Sequence, residues 1–82
     1  MDAWIKRRYV RWFRNLPKER QAQILDMKRA MEWAGAWERF NGGAVPERLL
    51  DRPHVREYLR LGPEQRAEVL EVLRGCERHL RG

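Results

Sequence analysis

Apolar residues in the first part of the chain recur with a helical period. Placed at about 3.6 residues per turn, Ile5, Tyr9, Trp12, Phe13 and Leu16 fall on one side of a helix over residues 3–14. Arg7, Arg11 and Arg14 fall opposite them, with Lys6 and Arg8 on the flanks. The pattern predicts an amphipathic helix whose aromatic back is core, with Trp12 buried so that its removal unfolds the chain. A second periodic run, Ile24, Met27, Met31 and Ala34, predicts a helix from Pro17 to Phe40, stopped by Asn41-Gly42-Gly43. Each of the four prolines reads as a helix start, because Pro is tolerated in the first turn, where its missing N–H would have no partner. Pro17, Pro46 and Pro63 are each followed by an acid, Glu19, Glu47 and Glu64, that favours the positive end of the helix dipole. Asp2 would do the same for the first helix. A short helix from Pro46, another from Pro53 to Arg60 and a last one from Pro63 to about Leu80 complete the chain. Asn15, Asp51 and Gly62 are the caps available to a sequence without Ser or Thr. No alternating β-branched run exists, so the expected fold class is all-α: a small bundle of four or five helices in one domain, residues 1–82.

The second helix is long enough to outrun the first. At about 1.5 Å per residue it extends roughly 36 Å, about twice the first helix, and its end carries Trp33, Trp37 and Phe40 on a rotated face. Packing within the chain is the expectation for that stripe. A homodimer or a protein partner is the alternative cover.

Residues 9–30 also resemble residues 54–75 at a constant offset. Val10 aligns with Val55, Leu16 with Leu61, Glu19 with Glu64, Ala22 with Ala67, Leu25 with Leu70 and Arg29 with Arg74. Phe13 against Tyr58 and Ile24 against Val69 are conservative matches in the same register. Each copy reads as a short aromatic helix, a Pro-containing turn and a longer amphipathic helix, which predicts two helical hairpins. Duplication and the shared grammar of helical hairpins both account for the match.

Charge sharpens the picture. The 82-residue chain carries a formal charge of +6, and the window from Trp4 to Lys18 holds six cations and no acid, so it accounts for the whole excess. An ordinary solvated helix mixes both signs, whereas these like charges repel until something anionic arrives. Arginine outnumbers lysine by 15 to 3, a bias that a GC-rich coding sequence explains more readily than selection for planar recognition. The absence of Ser and Thr removes hydroxyl nucleophiles and serine phosphorylation. A chain this short buries only roughly 60 to 65% of its unfolded surface, so efficient packing or association is needed. One cysteine, Cys76, makes no internal disulfide, and no apolar run reaches the roughly 18 residues of a membrane span. A soluble, cytoplasmic protein is expected, with membrane contact disfavoured because it would draw Trp4, Trp12 and Phe13 out of the core.

Catalytic chemistry has little support. His54 and His79 are the only histidines, and Cys76 lies three residues before His79 with nothing to supply an oxyanion site. Zinc needs about four ligands, and the scattered acids lack ligand spacing. Cys76 between Leu73 and Leu80 reads as a small buried hydrophobe, and Gly42-Gly43 as a helix stop without a nucleotide fingerprint. No enzyme activity, cofactor or metal is expected.

What remains is binding. Lys6, Arg7, Arg8, Arg11, Arg14 and Lys18 form the candidate site, and their spacing suits phosphates of a nucleic acid or an acidic protein surface. No helix-turn-helix accompanies them, so DNA or RNA contact would be mainly electrostatic. The alternative is a protein-binding adaptor or inhibitor, of the size phages and mobile elements encode, docking on a larger complex with Trp33, Trp37 and Phe40 as its interface.

Overall fold

The computed structural model describes residues 3–40 and 43–81. Asp2, the Ile5 side chain and Asn41-Gly42 lie outside the described residues. Five helices and no strand are found among the rest: α1 (Ala3–Arg14), α2 (Lys18–Phe40), α3 (Glu47–Leu50), α4 (Pro53–Arg60) and α5 (Pro63–Arg81). The prolines stand where the sequence puts them. Pro17 O accepts the first bond of α2, from Gln21 N at 3.1 Å. Pro46 caps α3, and Pro53 opens α4 behind Arg52, which makes no side-chain cap. Asn15 does not cap α2 either; its amide donates back to Arg11 O at 3.1 Å and so closes the end of α1. Gly43, with φ of 85°, takes the left-handed conformation between α2 and α3.

The packing is an exchange. α2 and α5 run antiparallel, joined by Lys28–Glu77 at 3.0 Å toward one end and Arg66–Glu38 at 3.1 Å toward the other. The short helix of each hairpin lies chiefly on the long helix of the other: α1 packs on α5, and α4 packs on α2. Three buried clusters result. Phe13 sits with Leu25 and Cys76, Tyr58 with Met31 and Leu73, and Val55 with Ala30, Ala34 and Leu49. Phe13, Val55 and Cys76 are wholly buried.

These contacts repeat at the offset seen in the sequence. Val10 approaches Gly75 closely enough that an added Cβ there would meet Val10 Cγ2 at 3.4 Å; one repeat away, Val55 clusters with Ala30. Phe13 against Cys76 answers to Tyr58 against Met31. The turns are closed from the same position as well. Gln21 donates to Phe13 O at 3.0 Å, and Arg66, its counterpart, donates to Leu59 O at 2.6 Å and Leu61 O at 3.0 Å. Asp26 binds Arg52 at the head of α4, and its counterpart Glu71 binds Lys6, one position before the counterpart of Arg52, at the head of α1. The two hairpins therefore share a packing scheme as well as a sequence pattern.

One expectation fails in an informative way. α1 buries Phe13 of its aromatic back, with Leu16 half-buried beside it, but not Tyr9 and Trp12; it is turned so that Lys6, Val10 and Phe13 face α5. Trp12 is left 46% exposed and Tyr9 38%. The close approach at Gly75 explains the rotation, because Val10 can settle against bare backbone there while the indole of Trp12 cannot. Phe13→Ala should thus cost about 3–5 kcal/mol by emptying a sealed site, whereas Trp12→Ala should cost about 1 kcal/mol or less. Urea denaturation of the two variants checks the order, and a larger loss for Trp12→Ala would show the helix to be turned the other way.

Candidate nucleic-acid interface

Docking through Val10 and Phe13 leaves the opposite side of α1 to solvent. Arg7, Arg11 and Arg14 are all exposed, as is Lys18 at the first turn of α2. None of these four has a carboxylate within ion-pair distance among the described residues. The two remaining predicted cations are engaged. Lys6 holds Glu71 at 2.9 Å, which keeps that carboxyl below its ordinary range, and Arg8 lies over the Trp4 ring at 5.3 Å. The site is therefore narrower than the sequence implies: Arg7, Arg11 and Arg14 act as free charges, Lys18 extends them, and Lys6 serves to anchor α1.

Aromatic rings stand beside the charges. Trp4 is 60% exposed, and Tyr9 and Trp12 meet edge to face with centroids 5.0 Å apart. Below them opens a groove of about 440 Å³ between α1, α2 and α5, floored by Ile24, Met27, Met31 and Val72, with Arg20 and Gln23 at its rim. Desolvation, then the neighbouring Cys76, raises the pKa of Tyr9, so its hydroxyl stays protonated. These exposed rings were assigned to the core by helical periodicity, which does not distinguish a docked apolar face from an overhanging one.

The stripe at the end of α2 is divided. Trp37 is half-buried against the Ala30, Ala34, Leu49 and Val55 cluster, but Trp33 and Phe40 are exposed, the latter with the Arg39 guanidinium over its ring. Packing within the chain thus covers one ring of the three. α5 does not cover the others, because it meets α2 on the face that carries Lys28 and Met31.

Cys76 and Lys28 serve the fold. Cys76 is pushed up to about 11 by burial, which keeps the thiol protonated and unreactive. Lys28 is buried yet charged: desolvation would lower its pKa, but Glu32 at 2.8 Å and Glu77 at 3.0 Å outweigh it and raise it. No group of three or more His, Cys, Asp or Glu among the described residues is arranged to hold a metal. No helix among them is long and apolar enough to cross a membrane. No family model, known protein or solved structure matches the chain, so the site is read from its own geometry.

His54 at the head of α4 gives the fold a pH dependence. Its Nε2 is buried without a hydrogen-bond partner; desolvation and then the Arg52 charge lower its pKa, against a smaller opposing pull from Asp26. A depressed histidine supports the folded state above its ordinary pKa of 6.5 and withdraws that support as pH falls through its lowered value. Thermal unfolding should therefore show a lower Tm at about pH 5 than at about pH 7.5, with the difference reduced in His54→Gln. An equal slope in the variant would assign the acid sensitivity to another group.

Proposed function

We propose that the protein binds nucleic acid through the solvent face of α1, with Arg7, Arg11, Arg14 and Lys18 on phosphates. The observation that carries the reading is that these cations are exposed and have no ion-pair partner among the described residues, whereas Lys6 and Lys28 each hold a carboxylate. Arg7 to Arg14 spans about 10 Å of helix, enough to follow successive phosphates. Exposed Trp4 and Trp12 on the same helix favour single-stranded segments, whose unpaired bases can lie on a ring while guanidinium groups track the backbone. The binding is electrostatic in origin and sequence-tolerant, and involves no chemistry on the polymer.

Fluorescence anisotropy with mixed-sequence single- and double-stranded DNA and RNA, at low and near-physiological salt, checks this. Tight, salt-sensitive binding is expected, preferring single strands. The Arg7→Gln, Arg11→Gln, Arg14→Gln variant should keep its helicity, lose most of the affinity and flatten the salt slope by roughly two, since each phosphate contact contributes about 0.7. Unchanged affinity in that variant would remove α1 from the interface.

A second reading is favoured by a different observation. Trp33 is 60% and Phe40 79% exposed, and adjoining apolar rings of this kind are the anchors of protein-binding surfaces. In that reading the protein is an adaptor or inhibitor held by Trp33 and Phe40, with α1 resting on an acidic or nucleic-acid-binding surface of a larger complex. Weak dependence on salt and loss of capture in Trp33→Ala would select it.

A further inference from the structure

Two pockets lie at corresponding positions of the repeat, and they differ in size and depth. In the first half, Lys18, Gln21, Ala22, Leu25, Arg29 and Leu80 line a shallow site of about 310 Å³. One repeat later, Pro63, Arg66, Ala67, Leu70, Arg74 and Gly35 take the same places in a site of about 470 Å³ between α2, α4 and α5. The exchange of Leu80 for Gly35 is the main difference in shape. Leu80 contributes a side chain to the lining of the first site, whereas Gly35 contributes none, and a Cβ there would stand in ordinary contact, 3.7 Å from the Tyr58 ring and hydroxyl. The exchange of Gln21 for Arg66, with Arg39 added from α2, is the main difference in charge.

The side chains around the larger pocket are held to different degrees. Arg66 is a fixed wall: it donates to Leu59 O and Leu61 O, pairs with Glu38 and lies 5.3 Å from the centre of the Tyr58 ring. Arg74 is held loosely, 3.4 Å from Glu32, whose nearer partner is Lys28 at 2.8 Å. Arg39 extends from α2 and makes no ion pair among the described residues. Tyr58 is buried and kept protonated by desolvation, which outweighs the opposing pull of Arg66, Arg39 and Arg74. Its hydroxyl is therefore a donor set among cations. Pro63, Ala67 and Leu70 supply an apolar wall.

We propose that this pocket binds a small phosphorylated organic molecule, with the phosphate on Arg39, Arg74 and the Tyr58 hydroxyl and the organic part against Pro63, Ala67 and Leu70. Donors arrive from three helices, which suits the tetrahedral array of acceptors on a phosphate better than the flat array on a carboxylate. Of the three guanidinium groups in the lining, Arg66 is committed to Glu38, which leaves Arg39 and the loosely held Arg74 to meet an anion such as a phosphate monoester. The volume lies in the range of small-molecule sites, roughly 300–1,000 Å³. No α1 residue takes part, so the site is independent of the nucleic-acid face.

Adenosine monophosphate is a suitable probe, with adenosine and inorganic phosphate as separate arms, followed by NMR of the backbone amides on the full chain. Saturable shifts at Gly35, Tyr58 and Leu70 are expected with the monophosphate, weaker ones with phosphate and none with adenosine. Arg39→Gln with Arg74→Gln should weaken binding roughly tenfold or more, and Gly35→Leu, which installs the residue of the smaller pocket, should abolish it. Arg39 and Arg74 are exposed, so the double variant keeps the fold and answers the question even where Gly35→Leu disturbs it. The Arg7→Gln, Arg11→Gln, Arg14→Gln variant should retain the site, which separates it from the polymer reading. Shifts confined to α1, no saturable shift at all, or undiminished binding in the double variant would each overturn the proposal.

Discussion

Everything in this structure depends on the exchange of short helices between the two hairpins. α1 finds its burial on α5 and α4 finds its burial on α2, so neither hairpin encloses a core of its own. Phe13 is sealed by Leu25 and Cys76, and Tyr58 by Met31 and Leu73; each site needs side chains from both halves of the chain. For a chain of 82 residues this is an economical solution, because α2 and α5 are each used on two sides. It also couples the ends of the molecule. Lys28, itself buried, ties Glu32 of its own helix to Glu77 of α5, and removing it would break the bridge between the two long helices.

The proposed function grows from the way α1 is docked. Val10, Phe13 and Lys6 fix its angle, and none of the three belongs to the charged strip. Arg7, Arg11 and Arg14 are thereby held on a rigid element without being neutralised, and Trp4 and Trp12 are carried outward with them. Mutual repulsion along the strip costs stability, which an anionic partner would return on binding. The same exchange shapes the second pocket, since α4 brings Tyr58 beside Gly35, which contributes no side chain where Leu80 lines the site in the other half.

Helix number and boundaries were legible because proline, the following acid and apolar spacing all act locally. Pro53, Pro63 and the period of Ile24, Met27 and Met31 need no knowledge of the rest of the chain. The repeat was legible for the same reason, and the matching hydrogen bonds of Gln21 and Arg66 give it a physical meaning. The orientation of α1 was not, because it is decided by a residue on another helix: Gly75 admits Val10, and nothing near Trp12 signals that. The division of the Trp33, Trp37, Phe40 stripe depends likewise on where α3 and α4 lie, since Leu49 and Val55 share the cluster that Trp37 covers. Of the candidate site, the composition was readable and the pairing was not. Lys6 differs from Arg7 only in having Glu71 within reach, a contact 65 positions away in sequence.

The exchange is tested most directly by dividing the chain between Ala44 and Val45, in the connection that joins the two hairpins, and measuring far-UV circular dichroism of each piece alone and of the equimolar mixture. Each piece alone should be largely unfolded, with exposed Phe13 or Tyr58, and mixing should restore a helical, cooperatively melting complex. A piece that folds cooperatively by itself, or two that fail to recover helicity together, would contradict the account.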